Sequence, residues 1–263
     1  MQSTVGFLGC GQMGGALLEG WLALGTLAPA QVIEADPATG PGLAERHGLE
    51  AADGQAMLDR AEVVLLAVKP QILARVTAPL RFREDQLVVS VVAGLSAGRV
   101  GALCSPARVV RVMPNVACRV QAGATLLLTA GAEAADLAQV EALFSAVGHV
   151  EPLADEAWFH AGTSVSGSGP AWLFMAMEAL ADGAVAAGLP RGAALRLAAH
   201  TVAGAGALAA ADPAHPGALK DRVTSPGGTT IQGVRALEAG GYRAALIEAV
   251  LAATIRSRAL EAL

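Results

Sequence analysis

Two glycine-rich segments contain residues whose types and spacing suit the binding of a ligand at the start of a helix. In residues 9–14 the sequence GCGQMG has the pattern GxGxxG, and it follows an apolar run and precedes an amphipathic one. There Gly9 permits a tight turn, Gly11 lets the backbone approach a pyrophosphate, and Gly14 lets the next helix pack closely on the strand. With Gln12 and Met13 between the glycines, the segment predicts a dinucleotide site at a helix N-terminus. An ordinary tight turn is the simpler alternative in a chain with 31 glycines.

The second segment is residues 225–230, with the sequence Ser-Pro-Gly-Gly-Thr-Thr, and it separates two helical patterns. Thr229 followed three residues later by Gln232 predicts a capping box at the start of the second helix. Gly227 and Gly228 leave the backbone N–H groups of that first turn uncovered, and such groups attract a carboxylate or a phosphate. A capped helix without a ligand is the alternative, but it leaves Ser225 and the two glycines unexplained.

Two acidic residues follow the glycine-rich turn at a distance that suits a nucleotide ribose. Glu34 and Asp36 end the second apolar run, about twenty residues after Gly14, where an acid accepts hydrogen bonds from the adenosine ribose. A carboxylate at Asp36 would repel a 2′-phosphate, and residues 1–45 contain no Lys or Arg to compensate. We therefore expect NADPH or NADH as the cofactor, with a preference for NADH.

Three later strand ends extend the predicted cofactor site, because open parallel sheets bind ligands at the carboxyl ends of their strands. Lys69 is equally explained as a solvated loop lysine, and Asn115 beside a proline is also common turn chemistry. The residues assigned to the cofactor at these strand ends are Ala67, Val68, Lys69, Pro70, Ala93, Gly94 and Asn115.

The pattern of the elements divides the chain in two. Residues 1–153 alternate short apolar runs with amphipathic stretches, which predicts a parallel sheet with helices. The runs are continuous in apolar character, as in strands buried on both faces. From residue 154 the spacing becomes helical, with breaks at residues 188–190, 212–213, 225–228 and 240–241. The predicted strands are residues 5–8, 32–35, 63–68, 87–92, 109–113, 125–129 and 149–152.

Composition narrows the class of protein. With a net charge of -5 and no cluster of Lys and Arg, we expect no nucleic-acid partner. The uncharged stretch 158–177 is interrupted by Ser, Gly and Pro, and the first residues lack a basic leader, so we expect a cytoplasmic protein that does not bind a membrane. The three cysteines and five scattered histidines predict neither a disulfide framework nor a metal site.

Five ordered motifs resemble those of the pyrroline-5-carboxylate reductase family. They are GxGxMG at 9–14, Ala-Val-Lys-Pro at 67–70, Met-Pro-Asn at 113–115, Val-Ser-Gly-Ser-Gly-Pro-Ala at 165–171, and the His-Pro-Gly to Thr-Thr block at 215–230. The resemblance implies a Rossmann-like domain followed by an all-α domain that interleaves with a partner subunit, in a homodimer or an oligomer of dimers. It also implies reduction of 1-pyrroline-5-carboxylate to proline, with the substrate held by Ser225, Gly227, Gly228 and Thr229, and its ring nitrogen by Thr230.

Two other functions remain open at this point. A hydroxyacid dehydrogenase has a similar architecture, but it needs a catalytic lysine, and Lys220 is the only lysine after Lys69. A nucleotide-binding scaffold without catalysis is the other alternative. The Val165 to Ala171 motif predicts a break between two helices, with Ser168 as the cap of the second and Pro170 in its first turn, in a supporting and not a catalytic role.

Overall fold

A computed structural model describes residues 3–35 and 40–261 of the chain. Its contacts form two compact units, one of Met1–Gly167 with Ala253–Leu263 and the other of Ser168–Ala252. The last strand ends at Leu153, which is where the sequence predicts the change to helix. The contact division lies later, after Gly167, and it groups the end of the last helix with the first unit.

The first unit is built on an eight-stranded sheet of order β3-β2-β1-β4-β5-β6-β7-β8. Neighbouring strands from β3 to β6 are parallel, whereas β7 runs antiparallel to β6 and β8 is parallel to β7. The sheet is therefore parallel from β3 to β6 and reverses direction once, between β6 and β7. The strands are β1 Val5–Leu8, β2 Val32–Glu34, β3 Glu50–Ala51, β4 Val63–Leu66, β5 Leu87–Ser90, β6 Arg108–Met113, β7 Gly123–Leu128 and β8 Gly148–Leu153.

Burial of both sheet faces explains why the strands read as continuous apolar runs. Every residue of β1, β4 and β5 is buried, and the buried side chains form two large clusters. Trp21 fills one of them, edge-on to Phe7 and Phe144, and its indole Nε1 donates a 2.8 Å hydrogen bond to the backbone oxygen of Leu143. The helices that cover the sheet are α1 Gln12–Ala23, α2 Gly40–His47, α3 Gly54–Arg60, α4 Pro70–Thr77, α5 Ala97–Cys104 and α6 Ala134–Ser145.

After Leu153 the described chain is helical, as the sequence predicts, and the four predicted breaks fall between helices. Short 3₁₀ turns cover Pro29–Gln31, Val116–Val120 and Glu156–Trp158. The helices are α7 Phe159–Thr163, α8 Gly169–Ala186, α9 Arg191–Ala211, α10 Pro216–Arg222, α11 Thr229–Ala239 and α12 Tyr242–Glu261.

The predicted cap at Ser168 is wrong. Residues Ser164–Ser168 form a π-helical turn that joins α7 directly to α8, and Ser168 is itself helical and makes no capping hydrogen bond from its side chain. Pro170 does lie in the first turn of α8. The serines bond backward along the chain, since Ser166 Oγ donates to the backbone oxygen of Gly162 at 3.0 Å. A π turn inserts an extra residue into a helix and is frequent at functional sites.

The second unit buries little apolar surface within a single chain. Its buried cluster consists of Ala181, Ala194 and Ala198. Large apolar side chains on its helices are exposed, among them Phe174 at 60%, Met175 at 68%, Leu197 at 59% and Ile247 at 59%. By length and composition alone, α9 is also apolar enough to cross a membrane. Apolar area of this extent marks an interaction surface.

Candidate functional site

The glycine-rich turn has the geometry that binding of a dinucleotide requires. Gly9 has a φ of 100°, which only glycine adopts without strain, and a Cβ there would lie 2.9 Å from the carbonyl group of Ala67. A Cβ on Gly14 would lie 2.5 Å from the oxygen of Gly9, whereas a Cβ on Gly11 would meet nothing within 4 Å. Gly11 precedes α1 without a side-chain cap. Open space above uncapped N–H groups fits a pyrophosphate.

The strand ends that the sequence assigns to the cofactor meet at one edge of the sheet. The backbone N–H of Ala67 donates to the backbone oxygen of Leu8, and that of Val91 donates to the backbone oxygen of Leu66. The carboxyl ends of β1, β4 and β5 therefore lie side by side. Next to them is a cavity of about 350 Å³, lined by Pro70, Gln71, Ala93, Gly94, Leu95, Arg99 and Leu260. Three of the predicted residues, Pro70, Ala93 and Gly94, therefore share one cavity.

Lys69 and Asn115 occupy different surroundings. Lys69 is exposed and lies immediately before α4. The Asn115 side chain is buried, and its Nδ2 donates to the backbone oxygen of Ser166 at 2.9 Å, while its Oδ1 accepts from the N–H groups of Ala117 and Ala124 at 3.2 and 3.3 Å. The amide of Asn115 thus ties the end of β6 to the π turn, and most of its hydrogen-bonding capacity is used within the protein.

On the other side of the glycine-rich turn, the predicted ribose-binding position is only partly described. Asp36 lies outside the described residues, and Glu34, which ends β2, is 1% exposed. A cavity of about 300 Å³ adjoins the turn, and Arg46 and Arg119 are among its lining residues. Arg119 is paired with Glu19 at 2.7 Å. The structure therefore brings Arg46 of α2 to a cavity shared with Gly11, and Arg46 is one of the two cations, with Lys69, that could reach the ribose position only from another element.

The second glycine-rich segment forms a tight turn before α11. Gly228 donates its N–H to the oxygen of Ser225 at 3.1 Å, and Gly227 between them has a φ of 69°. With Pro226 as its second residue, this turn has the features of type II. The segment lies in the second unit, and Ser225, Gly227, Thr229 and Thr230 are exposed.

The predicted capping box at Thr229 is wrong in its position. The residue before α11 is Gly228, which has no side chain to cap the helix, so Thr229 and Thr230 are the first two helical residues. The first N–H groups of α11 therefore have no side-chain acceptor at the capping position, which makes the helix start more open to an anion than the sequence predicts. A Cβ on Gly228 would lie 2.3 Å from Ser225 Oγ.

Burial keeps two of the three thiols in their protonated form. All three cysteines are buried and none forms a disulfide, and burial raises the pKa of Cys104 to about 12. Burial also raises the pKa of Cys118. Thiols held in this way are inert at neutral pH. Within residues 3–35 and 40–261, no three His, Cys, Asp or Glu residues are grouped so that they could hold a metal ion.

Two residues that line the cavity beside Pro70 and Gly94 were not predicted from the sequence. Leu260 and Arg99 line the cavity, although neither belongs to a glycine-rich turn or a strand end. A leucine in the last turn of an amphipathic helix carries no local signal of such a role. Only the long-range contact with Gly94 reveals it, because a Cβ on Gly94 would lie 3.5 Å from Cβ of Leu260.

Comparison with known proteins gives matches in both halves of the chain. The family model described as pyrroline-5-carboxylate reductase dimerisation matches residues 156–260. The model described as NADP oxidoreductase coenzyme F420-dependent matches residues 4–94. Pyrroline-5-carboxylate reductase of Arabidopsis thaliana is 42% identical over 262 residues, which cover 97% of this chain and 95% of the relative. The enzyme of the same name from Synechocystis is 43% identical over 265 residues, with 99% of each covered.

Solved structures agree with these relatives along the whole chain. The pyrroline-5-carboxylate reductase of Coxiella burnetii superposes with a TM-score of 0.88 at 32% identity, covering 99% of each chain. The pyrroline carboxylate reductase of Plasmodium falciparum, solved with NADP bound, has a TM-score of 0.88 at 26% identity and covers 99% of this chain and 98% of the other. Taken with the glycine-rich turn and the turn before α11, these matches establish that the chain belongs to the pyrroline-5-carboxylate reductase family.

Proposed function

We propose that this protein reduces 1-pyrroline-5-carboxylate to L-proline with hydride from NAD(P)H, the last step of proline biosynthesis. The bound cofactor supplies the hydride, and the protein supplies orientation and electrostatics. The observation that carries the proposal is the uncapped start of α11 behind the Ser225 to Gly228 turn, in a chain of this family. The first N–H groups of a helix are suited to a carboxylate, which is the charged group of this substrate.

We assign a role in substrate binding to the residues of the segment 225–230. The turn formed by Ser225, Gly227 and Gly228 brings the Ser225 hydroxyl beside the start of α11, where the N–H of Thr229 begins the helix. We assign the substrate carboxylate to these groups. The hydroxyl of Thr230 accepts the hydrogen of the ring nitrogen, so the protonated imine is aligned without a strong acid. These roles follow the family resemblance and the open geometry of the helix start.

Two residues assigned to the adenosine side of the cofactor site favour different cofactors. Asp36 favours NADH, since a 2′-phosphate about 4 Å from its carboxylate meets a repulsion on the order of 4 kcal/mol at an effective dielectric of 20, before screening. Arg46 adjoins the same turn and could offset that repulsion. We propose a preference for NADH. The ratio of kcat/KM for the two cofactors measures it, with Asp36→Ser and Arg46→Ala as paired variants, and a preference for NADPH above tenfold contradicts the assignment.

Self-association belongs to the helical half of the chain, since residues 156–260 match the dimerisation family. We propose a homodimer, or an oligomer of dimers, in which a second copy covers the exposed apolar side chains of α8, α9 and α12. Burial of α9 against a second copy would also account for its apolar character without a membrane. The three buried cysteines, none of which forms a disulfide, support a reducing cytoplasm as its location.

The two alternative functions, a hydroxyacid dehydrogenase and a binding scaffold, differ from the proposed function in the reaction that the protein would catalyse. A hydroxyacid dehydrogenase needs a catalytic lysine, but Lys220 lies in α10 with its Nζ paired to Asp221. A structural neighbour of that class, 3-hydroxyisobutyrate dehydrogenase of Mycobacterium tuberculosis, shares only the fold, at 18% identity and a TM-score of 0.51. A binding scaffold would show no turnover at all.

The deciding assay follows the absorbance of NADH or NADPH after addition of 1-pyrroline-5-carboxylate, with proline identified as the product. A parallel reaction with 3-hydroxyisobutyrate and NAD⁺ tests the dehydrogenase alternative. Proline formation at a rate proportional to enzyme supports the proposal. Oxidation of the hydroxyacid, or binding of cofactor without turnover of either substrate, overturns it.

A further inference from the structure

The cavity of about 350 Å³ in the first unit has one wall that comes from the far end of the chain. Most of its lining belongs to the strand ends and helix starts of residues 70–71 and 93–99. The exception is Leu260, from the last turn of α12. Leu260 is 40% exposed, so it adds little to the stability of a core. It nevertheless faces a cavity that is lined by three residues predicted to bind the cofactor.

The position of the cavity in the sheet indicates which end of a dinucleotide it receives. The sheet order places β2 and β4 on opposite sides of β1. A dinucleotide whose pyrophosphate lies at the turn after β1 extends its adenosine toward β2, where the ribose-binding acid is expected. The other end must then extend over β4 and β5. The cavity beside Pro70 and Gly94 lies at the ends of these two strands, so it is on the nicotinamide side.

The last turn of α12 is held in place by contacts to three other elements. The backbone oxygen of Glu261 accepts a 3.0 Å hydrogen bond from Nη1 of Arg99, a residue of α5 that also lines the cavity. The Glu261 carboxylate lies 2.8 Å from Nε2 of His160 in α7. It also lies 4.0 Å from Nη1 of Arg111 in β6, whose side chain is 5% exposed. The guanidinium groups of Arg99 and Arg111 and the imidazole of His160 thus surround the last turn of α12.

His160 has a defined orientation within these contacts. Its Nε2 lies 2.8 Å from a carboxylate oxygen of Glu261, within ion-pair distance. The other ring nitrogen, Nδ1, lies 3.0 Å from the hydroxyl of Ser257, one turn earlier in α12. His160 therefore bridges two successive turns of α12, and it fixes both the rotation and the axial position of the end of the helix.

We propose that the last turn of α12 forms a wall of the nicotinamide side of the cofactor site, with Leu260 contacting the bound cofactor and His160 acting through Glu261 as a positioning residue. This inference rests on the proposed use of NAD(P)H. An apolar side chain suits a nicotinamide ring face, because its burial on binding is favourable. The partial exposure of Leu260 leaves apolar area available for that contact.

The test measures cofactor binding without substrate. We compare Leu260→Ala with Arg258→Ala, which shortens an exposed side chain in the same turn that does not line the cavity. The full-length protein is titrated with NADH by fluorescence. We expect Leu260→Ala to raise the Kd for NADH about five- to tenfold and Arg258→Ala to leave it within twofold. At saturating NADH, the KM for 1-pyrroline-5-carboxylate should stay within twofold in Leu260→Ala.

The positioning role of His160 has its own measurement. His160→Ala should raise the Kd for NADH, whereas His160→Gln should retain most of the affinity, because the Gln amide is a donor that reaches the Glu261 carboxylate from a similar position. A structural role alone predicts a loss of stability in His160→Ala with no change in Kd. If a variant fails to fold, hydrogen exchange of residues 257–261 in the wild-type protein decides the question, since NADH should slow exchange there.

Three outcomes overturn the inference: an unchanged Kd in Leu260→Ala, an equal increase in Arg258→Ala, or hydrogen exchange at the end of α12 that NADH does not alter. Failure of the proposed function is distinguishable from these results. It appears as absence of proline formation by the wild-type protein, whereas the Kd and exchange measurements need no substrate.

Discussion

Replacing Gly228 by alanine tests the substrate turn directly. Its φ of -74° is accessible to any residue, so the backbone tolerates alanine. The new Cβ, however, would lie 2.3 Å from Ser225 Oγ, and 3.3 Å from the oxygen of the same residue. The hydroxyl is the end of a side chain with one rotatable bond, and rotating it away relieves the overlap. We therefore expect a folded protein in which the Ser225 hydroxyl has moved.

The size of the effect follows from the hydrogen bond that is lost. A hydrogen bond to a charged group contributes about 1.5–3 kcal/mol, which corresponds to a decrease of roughly tenfold to 150-fold in kcat/KM for 1-pyrroline-5-carboxylate. The Tm should change little. Gly227→Ala is the contrasting variant, because at a φ of 69° it imposes about 1–2 kcal/mol of backbone strain and no overlap with a neighbour.

A double-mutant cycle separates this explanation from general damage to the turn. In Ser225→Ala the hydroxyl is absent, and the Cβ of residue 225 lies 3.5 Å from the position of the added methyl group, an ordinary contact. Adding Gly228→Ala to Ser225→Ala should then cause no further loss of kcat/KM. The reasoning is refuted if Gly228→Ala alone stays within twofold of wild type, or if it causes its full loss in the Ser225→Ala background.

Three further predictions concern other parts of the chain. Thr230→Ala should lower kcat/KM about tenfold to 150-fold with an unchanged circular dichroism spectrum, and Thr230→Ser should retain most activity; a value for alanine within twofold of wild type contradicts the assigned role. Phe174→Glu combined with Met175→Glu should shift the protein to monomers in sedimentation velocity, and an unchanged sedimentation coefficient rules out α8 as part of the interface. Because the pKa of Cys104 is raised to about 12 by burial, its contribution to stability is complete below the ordinary pKa of 9.0 and decreases as pH rises toward 12. The free energy of unfolding in urea should therefore fall more steeply above pH 9 in wild type than in Cys104→Ala, and parallel slopes contradict this.

The strands were predictable because burial on both faces leaves a continuous apolar run. Seven predicted strands are present, with ends that differ by a few residues. The eighth, β3, consists of Glu50 and Ala51, both exposed, so neither its length nor its composition distinguishes it from a loop. The antiparallel direction of β7 could not be predicted from the sequence either. Its apolar run has no feature that encodes direction, and its antiparallel pairing with β6 depends on how the intervening segment returns along the sheet.

The sequence around Ser168 shows why the cap predicted there was incorrect. Ser168 lies among Gly167, Gly169 and Pro170, a composition typical of a helix break and equally compatible with a π turn. The π turn accepts a hydrogen bond from Asn115 at the backbone oxygen of Ser166, and Asn115 is distant in sequence. Long-range contacts of this kind are invisible to a local pattern. The same limitation hid Leu260, which becomes a candidate cofactor contact only through the fold.

The proposed substrate turn at residues 225–230 is exposed in the single chain, which has a consequence for the proposed reaction. Hydride transfer requires a site from which water is excluded, yet Ser225, Gly227 and Thr230 are all exposed in the single chain. The second unit also has little apolar core of its own and carries large exposed apolar side chains on α8, α9 and α12. One event, association through the dimerisation region, would bury that apolar area and give the turn a covered environment. We therefore propose that the association that buries the exposed helices also covers the turn at residues 225–230 and excludes water from it.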